Sequence, residues 1–83
     1  MGEQKEWLTF AELLKDYRTD MGVTQTTFGE MIGYSAQYVC DIEKGHRTPS
    51  VEFVNAFCRS MNMDKGEATI WHRLGARASG WEI

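Results

Sequence analysis

The chain has 83 residues, 42% of them hydrophobic and 25% charged, which is the composition of one small globular domain rather than of a disordered tail. No apolar run reaches the roughly 20 residues of a membrane span, and the polar, acidic N-terminus is unlike a signal peptide, so we expect a single cytoplasmic domain over 1–83. The formal net charge of −3 is the opposite of what most nucleic-acid-binding domains carry.

The residue types that perform catalysis or bind metals are sparse. Cys40 and Cys58 are 18 residues apart, with no CxxC motif and no histidine cluster beside them. Because a zinc site needs about four ligands, we expect two reduced cysteines in or near a core and no metal. His46 and His72 have no acid, nucleophile or ligand partner at a useful spacing. The sequence therefore predicts neither an enzyme nor a cofactor.

The first predicted helix runs from about Thr9 to Met21. Thr9 and Glu12 match the T-x-x-E capping box, in which two side chains satisfy backbone N–H groups at the start of a helix. Gly22 is expected to end the helix in the left-handed conformation. Apolar residues recur at spacings of three and four, which predicts a buried stripe of Phe10, Leu13, Leu14, Tyr17 and Met21.

Two short predicted helices follow, from about Thr24 to Ile32 and from Ala36 to Lys44. Thr24 and Ser35 are good N-caps, and Gly33 interrupts the chain between the two helices. Their apolar sides are expected to consist of Phe28, Met31, Ile32, Val39 and Ile42. Two short helices joined by a turn of three or four residues that contains glycine form a helix-turn-helix unit.

The loop from Gly45 to Pro49 holds the one proline of the sequence. Proline suits the first turn of a helix, so either Thr48 or Ser50 is expected to cap a fourth helix. Periodicity assigns this helix a buried stripe made of Val51, Val54, Phe57, Cys58 and Met61.

A fifth predicted helix, from about Asp64 to Ser79, has one apolar side consisting of Ile70, Trp71, Leu74 and Ala78. The tail that follows it adds further apolar side chains, which need cover from water. We therefore expect the domain core over about 8–63 and dimer contacts in 64–83. The residues expected at the homodimer interface are Trp71, Leu74, Trp81 and Ile83.

The most specific pattern in the sequence lies between residues 22 and 50. It consists of Gly22-Val23-Thr24-Gln25, Phe28-Gly29, Ile32-Gly33-Tyr34-Ser35, Val39, Ile42-Glu43-Lys44-Gly45 and Arg47-Thr48-Pro49-Ser50. The chain thereby resembles, over about Leu13 to Met63, the Cro/CI-type (XRE) family of small phage and bacterial transcriptional regulators. The resemblance implies an all-α, five-helix, lambda-repressor-like DNA-binding domain with its helix-turn-helix at helices 2 and 3.

The resemblance also implies which residues meet double-stranded DNA. Base contacts are expected from Ala36, Gln37, Tyr38 and Asp41. Gln37 is the best candidate, because a glutamine amide can pair with adenine through two hydrogen bonds. Phosphate contacts are expected from Gln25, Ser35, Lys44, His46 and Arg47. Arg18 and Glu43 match a structural ion pair, so neither is assigned to DNA.

Other interpretations stay open at the level of the sequence. Gln37 and Tyr38 fit an ordinary solvated helix as well, and the cations after them fit a solvated loop. Asp41 places a carboxylate on the face assigned to DNA, where phosphates oppose it unless it accepts from a cytosine amino group. The function expected first is a Cro-like repressor that binds a pseudo-palindromic operator as a dimer. The alternative is an antitoxin or antirepressor that uses the same fold mainly to bind a protein partner.

Overall fold

In a computed structural model, which describes residues 9–80, the chain forms five α-helices: α1 Phe10–Met21, α2 Gln25–Ile32, α3 Ala36–Glu43, α4 Val51–Ser60 and α5 Lys65–Ser79. This part of the chain contains no strand, and the predicted all-α fold is confirmed. None of these helices is long and apolar enough to cross a membrane.

Local sequence signals explain where the helices begin. At each start a side-chain oxygen accepts a hydrogen bond from a backbone N–H of the first turn, and the five capping residues are Thr9, Thr24, Ser35, Ser50 and Asp64. The predicted capping box is present, because the Thr9 N–H also donates to Glu12 Oε1 at 3.0 Å. Gly22 ends α1 with a φ of 75°, as expected. Pro49 precedes the cap of α4 and does not enter its first turn.

Aromatic rings form a large part of the core. The largest fully buried side chains are Phe10, Phe28, Phe53, Phe57, Leu14, Ile42, Val39 and Val54. The rings meet edge to face, as between Phe57 and Trp71 with centroids 4.7 Å apart and between Tyr17 and Phe57 at 5.3 Å. The contacts join α1, α4 and α5, while α2 adds Phe28 against Phe57. The helix-turn-helix therefore packs against a support formed by α1, α4 and α5.

Trp71, expected from the sequence at a dimer interface, packs into the core. It is only 6% exposed, because the rings of Phe10, Tyr17 and Phe57 surround it at centroid distances of 5.5, 5.8 and 4.7 Å. The core thus extends beyond 8–63 into α5, and Trp71 has almost no surface left to offer a second copy. Leu74 is half-buried against the same core. Trp81 and Ile83, also expected at a dimer interface, lie outside the described residues.

Five residues expected on apolar helix sides are instead exposed, namely Met21, Met31, Val51, Ile70 and Ala78. In α4 the buried face is shifted toward Phe53, which periodicity did not select and which is fully buried. Ile70, at 57% exposure, is the most exposed large apolar side chain in the described part.

Candidate nucleic-acid interface

The turn between α2 and α3 is closed by glycine. The N–H groups of Gly33 and Tyr34 both donate to the carbonyl of Gly29, at 2.7 and 2.8 Å. A Cβ on Gly29 would lie 2.5 Å from the Tyr34 carbonyl oxygen, so no larger residue fits there without a backbone shift. Gly33 supplies the left-handed conformation with a φ of 95°. The angle at which α3 leaves α2 is therefore fixed by the backbone.

The C-terminal end of α3 is held by Glu43, whose side chain is only 3% exposed. Arg18 donates through Nε to Glu43 Oε2 at 2.7 Å and through Nη2 to Oε1 at 3.1 Å. These hydrogen bonds raise the pKa of Arg18, so the guanidinium stays charged. Gln25 Nε2 adds a third hydrogen bond to Glu43, at 3.0 Å. One carboxylate thus ties α3 to α1 and to the first residue of α2.

The exposed face of α3 presents two polar side chains that contact each other. Gln37 Nε2 donates to Asp41 Oδ1 at 2.9 Å, across one helical turn. Gln37 is exposed and Asp41 is half-buried, as is Ala36 at the start of the helix. Their spacing of four residues is the signal that could have predicted this hydrogen bond from the sequence. The Oγ of Ser35 accepts from the N–H of Tyr38 and so caps the helix.

Tyr38, expected to contact bases, is a support for other side chains. Its ring packs against Phe53 and Tyr34, with centroids 5.1 and 4.7 Å away. The guanidinium carbon of Arg47 lies 4.9 Å from the Tyr38 ring centroid, which is within the range of a cation–π interaction. The ring therefore holds Arg47 beside α3. The sequence did not reveal this role, because it depends on Phe53 from another helix.

The loop after α3 folds back onto the end of that helix. The carbonyl of Asp41 accepts from the N–H groups of His46 and Arg47, at 2.9 and 3.2 Å. Gly45 permits this reversal with a φ of 79°. The side chains of Lys44, His46 and Arg47 are all exposed. The expected phosphate-binding side chains of the loop are thus brought to the C-terminal end of the helix that carries Gln37.

Gln25, the expected phosphate contact of α2, is half-buried, and its amide already donates to Glu43. The amide has a second N–H, and the free N–H groups of the first turn of α2 lie beside it. Among residues 9–80, no group of three or more His, Cys, Asp or Glu side chains is arranged to hold a metal ion. The polar features of this face are those of a surface that donates hydrogen bonds and carries local positive charge at one end.

The chain is similar in sequence to known helix-turn-helix proteins. The chain matches a family model described as "Helix-turn-helix domain" over residues 9–69. It is 34% identical over 58 residues to an uncharacterized HTH-type transcriptional regulator, YgzD, of Bacillus subtilis (strain 168), a match covering 70% of this chain and 86% of that protein. It is 27% identical over 52 residues to an uncharacterized HTH-type transcriptional regulator of Methanothermobacter thermautotrophicus, covering 63% and 75%. No solved structure matches the chain significantly.

The family match spans α1 to α4 and the first part of α5, so it includes the glycine-closed turn, the Glu43 contacts and the loop behind α3. It therefore covers the whole of the surface that the sequence motif predicted. The chain belongs to the XRE-type helix-turn-helix family.

Proposed function

We propose that the protein is a DNA-binding transcriptional regulator that inserts α3 into the major groove of double-stranded DNA. The observation that carries the proposal is the exposed polar face of α3, with Gln37 and Asp41 on it and the cationic loop folded against its C-terminal end. A helix fits the major groove, and side chains on its outer face reach base edges there. The names of both relatives support a role in transcription.

The roles divide between base edges and backbone. Base contacts come from the outer face of α3, that is from Ala36, Gln37, Tyr38 and Asp41, with Gln37 making the specific pair and Tyr38 contributing only its remaining surface. Phosphate contacts come from Gln25, Ser35, Lys44, His46 and Arg47. Arg47 is already held over Tyr38 before DNA arrives, so less side-chain freedom is lost when it binds a phosphate.

The net charge of −3 is compatible with this proposal, because local charge governs binding. At physiological salt a charge more than about 8–10 Å away is largely screened. We therefore expect remote acids such as Glu67 on α5 to oppose a contact made by α3 and its loop only weakly. Few cations remain to neutralise phosphates, so we expect modest affinity for each copy of the chain and a shallow dependence on salt.

Modest affinity per copy favours action as a dimer. A Cro-like homodimer with twofold symmetry would place two α3 helices roughly 34 Å apart, one DNA turn, on a pseudo-palindromic operator. Occupying such a site at a promoter would repress transcription. Because Trp71 is buried, the dimer contact proposed for α5 must use its outer side, where Ile70 is exposed and the half-buried Leu74, one turn later, contributes only its remaining surface.

Selection of bound sequences from random duplex DNA tests the proposal. We expect the wild type to select a pseudo-palindromic site. Gln37→Ala should lose the base preference at one position of each half-site, at a cost of about 1–3 kcal/mol. Arg47→Ala should weaken binding to all sequences alike. A wild type without preference for any duplex over bulk DNA at low salt would contradict the proposal and favour an antitoxin or antirepressor that binds a protein.

A further inference from the structure

We infer that Gln37 and Asp41 read DNA as one unit: Asp41 positions the Gln37 amide for an adenine and itself selects a neighbouring base that carries an exocyclic amino group. The inference rests on the proposed function and specifies which bases the site recognises. Its basis is the hydrogen bond from Gln37 Nε2 to Asp41 Oδ1, 2.9 Å long, on the exposed face of α3.

The hydrogen bond determines which way the glutamine amide points. A carboxylate can only accept hydrogen bonds, so the amide atom that faces Asp41 must be the nitrogen. The Oε1 of Gln37 then points away from Asp41. Without this partner the amide could turn over and present its two ends in either order. Asp41 thus removes one of the two orientations before DNA arrives.

The atoms that remain free define the base that fits. Gln37 keeps Oε1 as an acceptor and one N–H as a donor, which together match the N6 amino group and N7 of adenine in the major groove. Guanine presents two acceptors at the same edge and cannot satisfy Oε1. Asp41 keeps Oδ2 as an acceptor, which matches the amino group of cytosine or of a second adenine. The oxygens of guanine and thymine would repel it.

The geometry of α3 places the two readings close together. Residues four apart in a helix are about 6 Å apart along its axis, while successive base pairs are separated by about 3.4 Å. The Asp41 contact therefore falls one or two base pairs from the adenine read by Gln37. The backbone N–H groups of His46 and Arg47 are hydrogen-bonded to the Asp41 carbonyl, so the loop expected to bind phosphate lies next to these base contacts.

Two substitutions at Asp41 separate its two roles. Asp41→Asn keeps an oxygen that accepts from Gln37 but loses the charge, so the adenine preference should persist and the neighbouring preference for an amino-bearing base should disappear. Asp41→Ala loses both the accepting oxygen and the charge, so both base preferences should weaken. We expect its discrimination for adenine to fall roughly fivefold or more, the lower end of what a good bidentate contact supplies. Both variants should bind bulk DNA more tightly than the wild type, since one negative charge is gone.

The measurements are base preferences from random-duplex selection and affinities for fixed duplexes at several salt concentrations. Glu30→Ala, which removes an exposed carboxylate from α2, is the matched control for charge alone and should leave both preferences unchanged. A role of Asp41 in helix stability only would lower Tm and affect all sequences equally, so Tm is measured for each variant.

The same measurements can refute the paired role of Gln37 and Asp41 without refuting DNA binding. If Asp41→Ala selects the same bases as the wild type while Gln37→Ala does not, the inference is wrong and the proposed function stands. Loss of the adenine preference in Asp41→Asn, to the same degree as in Asp41→Ala, would also contradict it. A wild type that selects no sequence would overturn the proposed function itself.

Discussion

At the scale of single residues, Gly29 has the tightest surroundings of the glycines in the proposed DNA-binding unit. Its α-carbon faces the backbone of the turn, and a Cβ there would lie 2.5 Å from the Tyr34 carbonyl oxygen and 3.2 Å from the Ser35 carbonyl carbon. These are main-chain atoms that also start α3, so they cannot move aside as a flexible side chain would. The absence of a side chain at position 29 is therefore what allows α2 and α3 to meet.

We predict that Gly29→Ala destabilises the fold by about 1–3 kcal/mol, the usual cost of inserting a carbon into a closely packed site. The free energy of unfolding in urea measures the effect. Gly66→Ala in α5 is the matched control, because its new Cβ would meet only Asp64 Oδ1, at an ordinary 3.5 Å. There the higher helix propensity of alanine should stabilise by up to about 1 kcal/mol. Equal effects at the two positions would contradict the steric explanation.

Residues whose roles are local could be predicted from the sequence itself, whereas a contact with a distant partner, such as the Arg18–Glu43 pair, was expected only through the family resemblance. Thr9, Thr24 and Ser35 cap helices because of their own chemistry and that of the next few residues. Tyr38 supports Arg47 because Phe53, 15 residues further on, lies beneath its ring. Such a contact depends on how α4 packs against α3, which residue spacing alone does not specify.

At the scale of helices, α4 shows the limit of periodicity. The apolar residues 51, 54, 57, 58 and 61 fit a helical stripe, yet the buried face is shifted so that Phe53 is fully buried and Val51 is exposed. Either register is compatible with spacings of three and four. The position of the aromatic rings of Tyr34 and Tyr38, which pack on Phe53, decides between them. The existence of the helix was therefore predictable, and its rotation was not.

The packing of α1, α4 and α5 also makes the stability of the fold sensitive to alkaline pH. Burial raises the pKa of Tyr17 in α1 and of Cys58 in α4, and the nearby carboxylate of Glu67 in α5 raises both further. Each group is neutral when protonated, so the folded state holds the proton more tightly than the unfolded chain does. Their contribution to stability is complete at neutral pH and is lost as the pH rises through their pKa values.

We predict that Tm falls as the pH is raised above about 9, where unfolded cysteine and tyrosine begin to lose protons. The double variant Tyr17→Phe with Cys58→Ala should show a shallower fall, because neither new residue ionises. Thermal unfolding followed by circular dichroism between pH 7 and 11 measures both slopes. An equal slope in the double variant and the wild type would show that other groups cause the loss.

At the scale of the whole molecule, size limits what one copy can recognise. The principal extents are 33 × 28 × 23 Å, so the longest dimension is close to the ~34 Å of one DNA turn. One copy can place one α3 in one stretch of major groove. A longer operator therefore requires a second copy, and the outer side of α5 is the surface that we propose for it.

We predict that Ile70→Glu weakens self-association by at least tenfold, because it puts a charge at the centre of the proposed contact. Sedimentation velocity over a range of protein concentrations measures the effect. Val51→Glu is the matched control, since Val51 is likewise an exposed apolar residue but lies in α4. Loss of the dimer in Val51→Glu but not in Ile70→Glu would show that the interface does not lie on α5. A wild type that stays monomeric at all micromolar concentrations would rule out the proposed dimer.

The division of α3 into two faces has a consequence for how DNA preference can change. Val39, Ile42 and Glu43 anchor the helix from within, whereas Gln37 and Asp41 project from the opposite side and support no part of the core. New side chains at positions 37 and 41 would therefore leave the packing of α3 on the core intact. The outer face of α3 can therefore vary while its inner face stays the same, so replacing two residues could adapt the protein to a related operator.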